Sequence, residues 1–238
     1  MNKIFKIVWS KSRQCYIVVS EYAKNTSGKK AVATALLAFA VLAGSSAVQA
    51  AWPDGAQVGQ SNFQIGRGAR AGIGSGSQNS QAIGVDAEAH QSKDVALGSN
   101  AVAKGLPISS NKAHPATALG AHSNANGDST LAVGFGTNAS STNATAVGAN
   151  ASATGTDSTV VGSGASANQA SASVLGSNAT VTGVAGTAVG SSSTAANNSF
   201  AGGNNATATG GNSVAIGMTT KASGTGSVAV GNTAQATN

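Results

Sequence analysis

From about residue 60 to the end of the chain, an aliphatic residue followed by glycine recurs in a fixed rhythm, with Gly202 in place of the aliphatic in one unit. The anchoring glycines are Gly66, Gly74, Gly84, Gly98, Gly120, Gly134, Gly148, Gly162, Gly176, Gly190, Gly203, Gly217 and Gly231. The gaps between their numbers are 8, 10, 14, 22, 14, 14, 14, 14, 14, 13, 14 and 14, so the repeating unit is 14. A self-similar period of this kind marks a repeat architecture. Each unit opens with a short alternating segment such as Ser213-Val214-Ala215-Ile216-Gly217 or Thr130-Leu131-Ala132-Val133-Gly134. Period-2 alternation with β-branched residues predicts a strand. A second short piece follows three residues later, with small residues at alternate positions: Ala151 and Ala153, Ala165 and Ala167, Ala206 and Ala208. Gly, Asn, Ser and Asp fill the intervals and supply positive φ and side-chain-closed turns.

Two strands and two turns in so short a unit fit one coil of a parallel β-solenoid, which makes the fold class all-β. Stacked about 4.8 Å apart, a dozen such coils form a rod of roughly 60 Å. The repeat-turn glycines Gly98, Gly120, Gly134, Gly148, Gly162, Gly176, Gly190, Gly203, Gly217 and Gly231 are then expected in one row, each supplying the same bend. The interior expected for each coil is one or two aliphatics with two alanines. So thin a core predicts that several rods associate side by side and bury the alternate face.

One interval breaks the rhythm. The long gap from Gly98 to Gly120 reads as a regular unit carrying an insertion, Gly105-Leu106-Pro107-Ile108-Ser109-Ser110-Asn111-Lys112. Proline cannot donate to a ladder, so this segment is expected to leave the sheet. Inserted loops on solenoids often carry contacts, which makes Leu106, Pro107, Ile108 and Lys112 the candidate ligand-binding residues; the alternative reading is a tolerated surface excursion.

The first 50 residues differ in kind. They hold seven Lys/Arg against Glu21, whereas from Ala51 onward six cations balance six acidic residues. The net charge of +6 therefore belongs to the leader, and no nucleic-acid partner follows from it. The apolar run 31–43 follows Lys29-Lys30 and precedes Val48-Gln49-Ala50. That order predicts a Sec signal peptide cut between Ala50 and Ala51. The run is too short for a membrane span of about 20 residues. Cys15, the one cysteine, lies in the leader, so the mature chain has no disulfide, thiolate metal site or Cys nucleophile. With 4% aromatic and 8% charged residues, the chain has little from which to build an ordinary enzyme core.

Other chemistry reduces to turn chemistry. Gly66-Arg67-Gly68-Ala69-Arg70-Ala71 mimics a dinucleotide fingerprint but lacks the following helix, and is expected as a turn in an irregular first coil. Gly202-Gly203 and Gly210-Gly211 lack the Asp residues of a calcium-binding repeat. His90, His114 and His122 fall outside ligand spacing and are expected in solvent or turns. Asp86, Glu88, Asp94, Asp128 and Asp157 are expected as solvating charges in turns. Asn138, Asn143, Asn150, Asn178, Asn197 and Asn205 each begin an Asn-x-Ser/Thr triplet, which the turn composition itself generates. No catalytic site, metal site or cofactor is expected.

Two sets of residues carry a family resemblance. Met1-Asn2-Lys3-Ile4-Phe5-Lys6-Ile7-Val8-Trp9-Ser10 with Val18-Val19-Ser20-Glu21 resembles the extended signal peptide region of large Gram-negative secreted proteins, although Ser10 stands where Asn is usual. Asn212-Ser213-Val214-Ala215-Ile216-Gly217 and its echoes resemble the head repeat of YadA-like trimeric autotransporter adhesins over roughly residues 60–238. The implied organisation is an extended signal region at 1–30, signal-peptide core and cleavage region at 31–50, and a head at 51–238. The resemblance also implies a left-handed β-roll, an intertwined homotrimer, the secretion machinery as a partner, and surface display on a Gram-negative outer membrane. The implied function is non-enzymatic attachment to a host matrix protein or cell-surface receptor, and autoagglutination. No heptad stalk or barrel anchor occurs among the 238 residues. The chain is therefore expected to be either a head fragment of a longer product or a truncated remnant. A structural spacer is the competing role. A solenoid acyltransferase would need a hexapeptide period, and an ice-binding array is broken where Leu131, Ser173 and Phe200 interrupt the column of Thr145, Thr159 and Thr187.

Overall fold

A computed structural model of the chain describes residues 5–10, 15–20, 57–59, 61–74, 77–109 and 112–237. Two compact units are present, residues 1–48 and 49–238. In the first, Phe5–Ser10 pairs antiparallel with Cys15–Ser20, Phe5 opposite Ser20 and Ser10 opposite Cys15. The sequence reading placed no hairpin there. The apolar run and the junction at Ala50 and Ala51 lie outside the described residues.

The second unit is a parallel β-solenoid of about 12 turns. Among the described residues, strands of three or four residues stack into a long-strand ladder of 13 strands, and two-residue strands stack into a short-strand ladder of 12. Every pairing in both ladders is parallel except the first, where Gln57–Gly59 runs antiparallel to Asn62–Ile65 and covers that end of the long-strand ladder. The register is strict. Leu131, Thr145, Thr159, Ser173, Thr187 and Phe200 form one column, and Asn138, Ser152, Ser166, Thr180 and Thr194 another.

The coil at residues 144–157 shows how the sequence produces this shape. Thr145–Val147 is a strand, Gly148 turns at φ +133° and Asn150 at +55°, Ser152–Ala153 is the second strand, and Asp157 closes the circuit at φ +56°. Left-handed residues recur at both turns of nearly every coil, and Asn, Asp, Ser and Gly supply most of them. Backbone hydrogen bonds run round the whole circumference. Gly148 N donates to Val133 O and Asn150 N to Phe135 O on one side, Ser152 N to Ala165 O and Asp157 N to Thr142 O elsewhere, all at 2.8–2.9 Å. The turns are thus tied to their neighbours as firmly as the strands.

The interior is alanine. In this coil Ala144, Ala146, Ala151 and Ala153 are all fully buried, and the pattern repeats with only occasional Val, Ser or Thr. The aliphatic before each glycine points outward, contrary to the expectation that it fills the core. Leu119, Leu175, Ile216 and Val230 are 40–64% exposed. The ladders face each other across a space that admits little more than β-carbons, so the larger side chain of each alternating pair takes the outer face. A second correction concerns the first coil. Ile65 pairs with Ile83 and Arg70 with Glu88, so Gly66 to Gly84 is a single, enlarged coil. Gly74 is a loop residue within it. The shortened coil after Gly190 loses its residue in the turn between Thr194–Ala195 and Phe200–Gly202.

Candidate functional site

The repeat-turn glycines form a column with a common geometry. From Gly98 to Gly231 their φ values run from +123° to +151°. A β-carbon on Gly148 would sit 2.6 Å from the carbonyl oxygen of Gly162, and one on Gly134 equally close to that of Gly148. Each glycine therefore makes room for the peptide of the next. These are architectural positions, with no reactive group among them.

The two outer faces differ in chemistry. On the long-strand ladder, the column of Leu97, Leu119, Val133, Val147, Val161, Leu175 and Val189 runs along seven successive coils before Gly202 interrupts it. Beside it lies the mixed column of Val95, Thr117, Leu131, Thr145, Thr159 and Ser173, which resumes its apolar character at Phe200, Val214 and Val228. On the short-strand ladder, the outward column from Asn124 onward reads Asn138, Ser152, Ser166, Thr180, Thr194, Thr207, Lys221 and Gln235. One side of the rod carries a continuous aliphatic column beside a mixed one, and the other is largely neutral and hydrogen-bonding.

The insertion leaves the ladders as an antiparallel hairpin of its own, Leu106–Ser109 against Lys112–His114. Leu106 is exposed. The side chains of Pro107, Ile108 and Lys112 lie outside the described residues. Asp94 organises the base of the hairpin. It is fully buried, correcting the expectation of a solvating charge. Its Oδ2 accepts hydrogen bonds from Gln91 N at 2.7 Å and Gly105 N at 3.0 Å, and its Oδ1 from Ala116 N at 2.8 Å. Both ends of the insertion are thus fastened to one carboxylate. Burial raises the Asp94 pKa above its ordinary value despite these three donors. On the far side, His114 Nδ1 lies 2.7 Å from Asp128 Oδ1 and links the hairpin to the following coil.

Some of the other ionisable groups are paired as well. Arg70 pairs with Glu88, whose other oxygen lies 2.9 Å from His90 Nε2. Arg70 holds the Glu88 carboxyl below its usual range. His122 sits at a left-handed turn and meets Phe135 edge to face, with ring centroids 5.7 Å apart. His90 and His114 therefore sit beside carboxylates rather than free in solvent or turns. Among the described residues no cluster of His, Cys, Asp and Glu could hold a metal ion. Within the Gly66–Ala71 segment, Ala69 N closes a turn on Gly66 O and Arg70–Ala71 joins the short-strand ladder. Sequence reasoning missed Asp94; its place in the inward register, where Ser80 and Thr130 stand in other coils, was the available signal.

The family model for the extended signal peptide of the type V secretion system matches residues 1–50. The model for the YadA head domain repeat matches residues 76–101, 113–137, 125–151, 139–165, 153–179, 195–220 and 222–238, more than half of the chain. The chain belongs to the YadA-like trimeric autotransporter adhesins. No curated protein matches it. The head matches pass over residues 102–112, which hold the outgoing strand of the hairpin, and the leader match ends at Ala50. In this YadA-like head, the repeating unit of the family model is the coil, and the hairpin is an addition to it.

Proposed function

We propose that residues 51–238 are the mature head of a homotrimeric, non-enzymatic adhesin, released from its leader by cleavage after Ala50. Three copies pack their apolar outer columns together, and the short-strand faces turn outward toward a host matrix protein or cell-surface receptor. The observation that carries this reading is the aliphatic column from Leu97 to Val189, in which Leu97, Leu119, Val161 and Leu175 are exposed and Val133, Val147 and Val189 half-buried on an otherwise regular sheet face. An interior of alanine gives up little apolar surface per coil, so each outward Leu or Val, already about half covered, adds roughly 1 kcal/mol when a neighbouring copy covers the rest. The hairpin at 105–112, with Leu106, Pro107, Ile108 and Lys112, is the non-repeating contact site. Weak contacts repeated on three chains gain from effective concentration rather than from a deep pocket. Display at the outer membrane and autoagglutination belong to the same reading.

The test joins mass measurement to binding. Residues 51–238, alone and fused to a trimeric coiled coil, are compared by sedimentation, thermal melting and adhesion to cells and matrix-coated surfaces. Adhesion by the trimer, lost on deletion of residues 106–113, is the expected outcome. A trimer that adheres to neither surface leaves the head as a spacer, a role that the evenness of its coils would also serve.

A further inference from the structure

We propose that Asn150 and Asn178 are acceptors of N-linked sugar, set apart from the other Asn-x-Ser/Thr triplets by an unengaged amide on one exposed turn column. Beyond the first 50 residues, six asparagines begin such triplets. The structure sorts them. Asn138 is half-buried on the short-strand face and its Oδ1 accepts from Asn124 Nδ2 at 3.2 Å. Asn143 donates through Nδ2 to Asp157 Oδ1 at 2.9 Å. Asn197 Oδ1 accepts from Val184 N at 2.8 Å, and Asn205 donates to Asn204 Oδ1 at 2.7 Å. The side chains of Asn150 and Asn178 make no hydrogen bond among the described residues, and both are exposed at φ +55°.

Their surroundings reinforce the distinction. A β-carbon on Gly136 would lie 2.6 Å from Asn150 Oδ1, and Asn178 Oδ1 stands over Gly164 in the same way. The carbonyl end of each amide thus rests over a glycine of the preceding coil, leaving Nδ2 as the end without a partner. The third residues of the triplets, Ser152 and Thr180, are on the outer face of the short-strand ladder, and the intervening Ala151 and Ala179 are buried. The two asparagines are two coils apart, about 9.6 Å along the rod. Gly136 and Gly164 occupy the same turn position in the preceding coils, so each sugar has open space on one side. An N-x-S/T triplet in a surface turn of an exported chain is the substrate that N-glycosylation requires.

The step is a substitution without redox change. Asn Nδ2 attacks the anomeric carbon of a sugar held as a diphosphate ester, supplied with its transferase by the cell. The carbon–nitrogen bond forms, the anomeric carbon–oxygen bond breaks, diphosphate departs with the electron pair, and a base on the transferase takes one amide proton.

The test is peptide mass spectrometry with electron-transfer fragmentation on the full chain exported by its own bacterium. Sugar on Asn150 and Asn178 at tenfold or greater occupancy over Asn138, Asn143 and Asn197 is expected. Bare Asn150 and Asn178, or even occupancy of all six, overturns the proposal. Ser152→Ala and Thr180→Ala remove the triplets while keeping both asparagines. Loss of the sugar mass with an unchanged circular dichroism spectrum supports the assignment, and its persistence overturns it. Adhesion is read separately, so a sugar-free head that still binds cells refutes only this inference.

Discussion

The Asp94 carboxylate holds the amide of Ala116, far along the chain on the other side of the insertion, at 2.8 Å, from a position fully enclosed by the solenoid. It holds Gly105 N as well, so the two ends of the inserted hairpin share a single acceptor group. Asp94→Ala leaves both amides without an acceptor, at about 1–3 kcal/mol for each buried group. Native-state hydrogen exchange should show protection lost at Gly105 and Ala116 and retained at Leu131–Val133. Uniform protection in the variant would remove Asp94 from this role.

The same carboxylate gives a pH signature. Its pKa is raised by burial, so the folded chain holds the Asp94 proton more tightly than the unfolded chain does. Its contribution to stability is greatest below the ordinary value of 3.8 and falls as pH rises through the folded pKa. Glu88, lowered chiefly by its hydrogen bond from Arg70, has the opposite slope, with stability present above 4.5 and lost as pH falls. Comparing denaturant titrations of the wild-type chain and Asp94→Asn across this range cancels the Glu88 contribution. Their difference should move against the wild type as pH rises.

Gly148 and Gly211 make opposite predictions. At Gly148 a β-carbon meets the Gly162 carbonyl at 2.6 Å and φ is +133°, whereas at Gly211 nothing lies within 4 Å. Gly148→Ala should cost about 2–3 kcal/mol through backbone strain, and Gly211→Ala should stay within about 0.5 kcal/mol. Equal losses in denaturant unfolding would show that the glycine column is not what lets the coils approach.

Ala185 occupies a left-handed turn at φ +54°, in the column where Asn143, Asp157 and Ser171 stand in earlier coils. Alanine has no side-chain group to favour that conformation and carries roughly 1–2 kcal/mol of steric cost there. Ala185→Asn should raise the unfolding free energy by about 0.5–1 kcal/mol. A neutral or negative change in thermal melting would mean that the coil relaxes the strain already.

The rod was legible from its period because turn glycines and interior alanines recur wherever the coil closes. Direction was not. Alternation shows that Val133 and Ala132 face opposite ways, yet hydrophobicity alone sends Val133 inward; only the thinness of the coil reverses the choice. Gly74 was misread because Ile73-Gly74 reproduces the aliphatic-glycine pair. A true anchor needs a positive φ and a carbonyl stacked upon it, whereas a β-carbon on Gly74 would meet the side chains of Gln91 and Ser77. Asp94 escaped notice because composition assigns carboxylates to solvent, while its partners are backbone amides brought together by an insertion. The leader hairpin pairs Trp9 with Tyr16 through strands carrying no repeat signal.

The apolar columns give the sharpest test of assembly, because a substitution there spares the interior. Leu175 is 54% exposed and Leu119 is 40% exposed, and neither contributes to the alanine core. Leu119→Asp with Leu175→Asp should leave the circular dichroism of residues 51–238 unchanged while shifting sedimentation from trimer to monomer. The gain lost is roughly 1 kcal/mol for each half-exposed leucine that a neighbouring copy covers, and three copies multiply it. That exceeds a tenfold change in association, so the shift should be visible at micromolar concentration. A double variant that stays trimeric would place the interface elsewhere and leave the aliphatic columns free for another partner. One that unfolds would show instead that lateral packing, rather than the ladder, holds the coils closed.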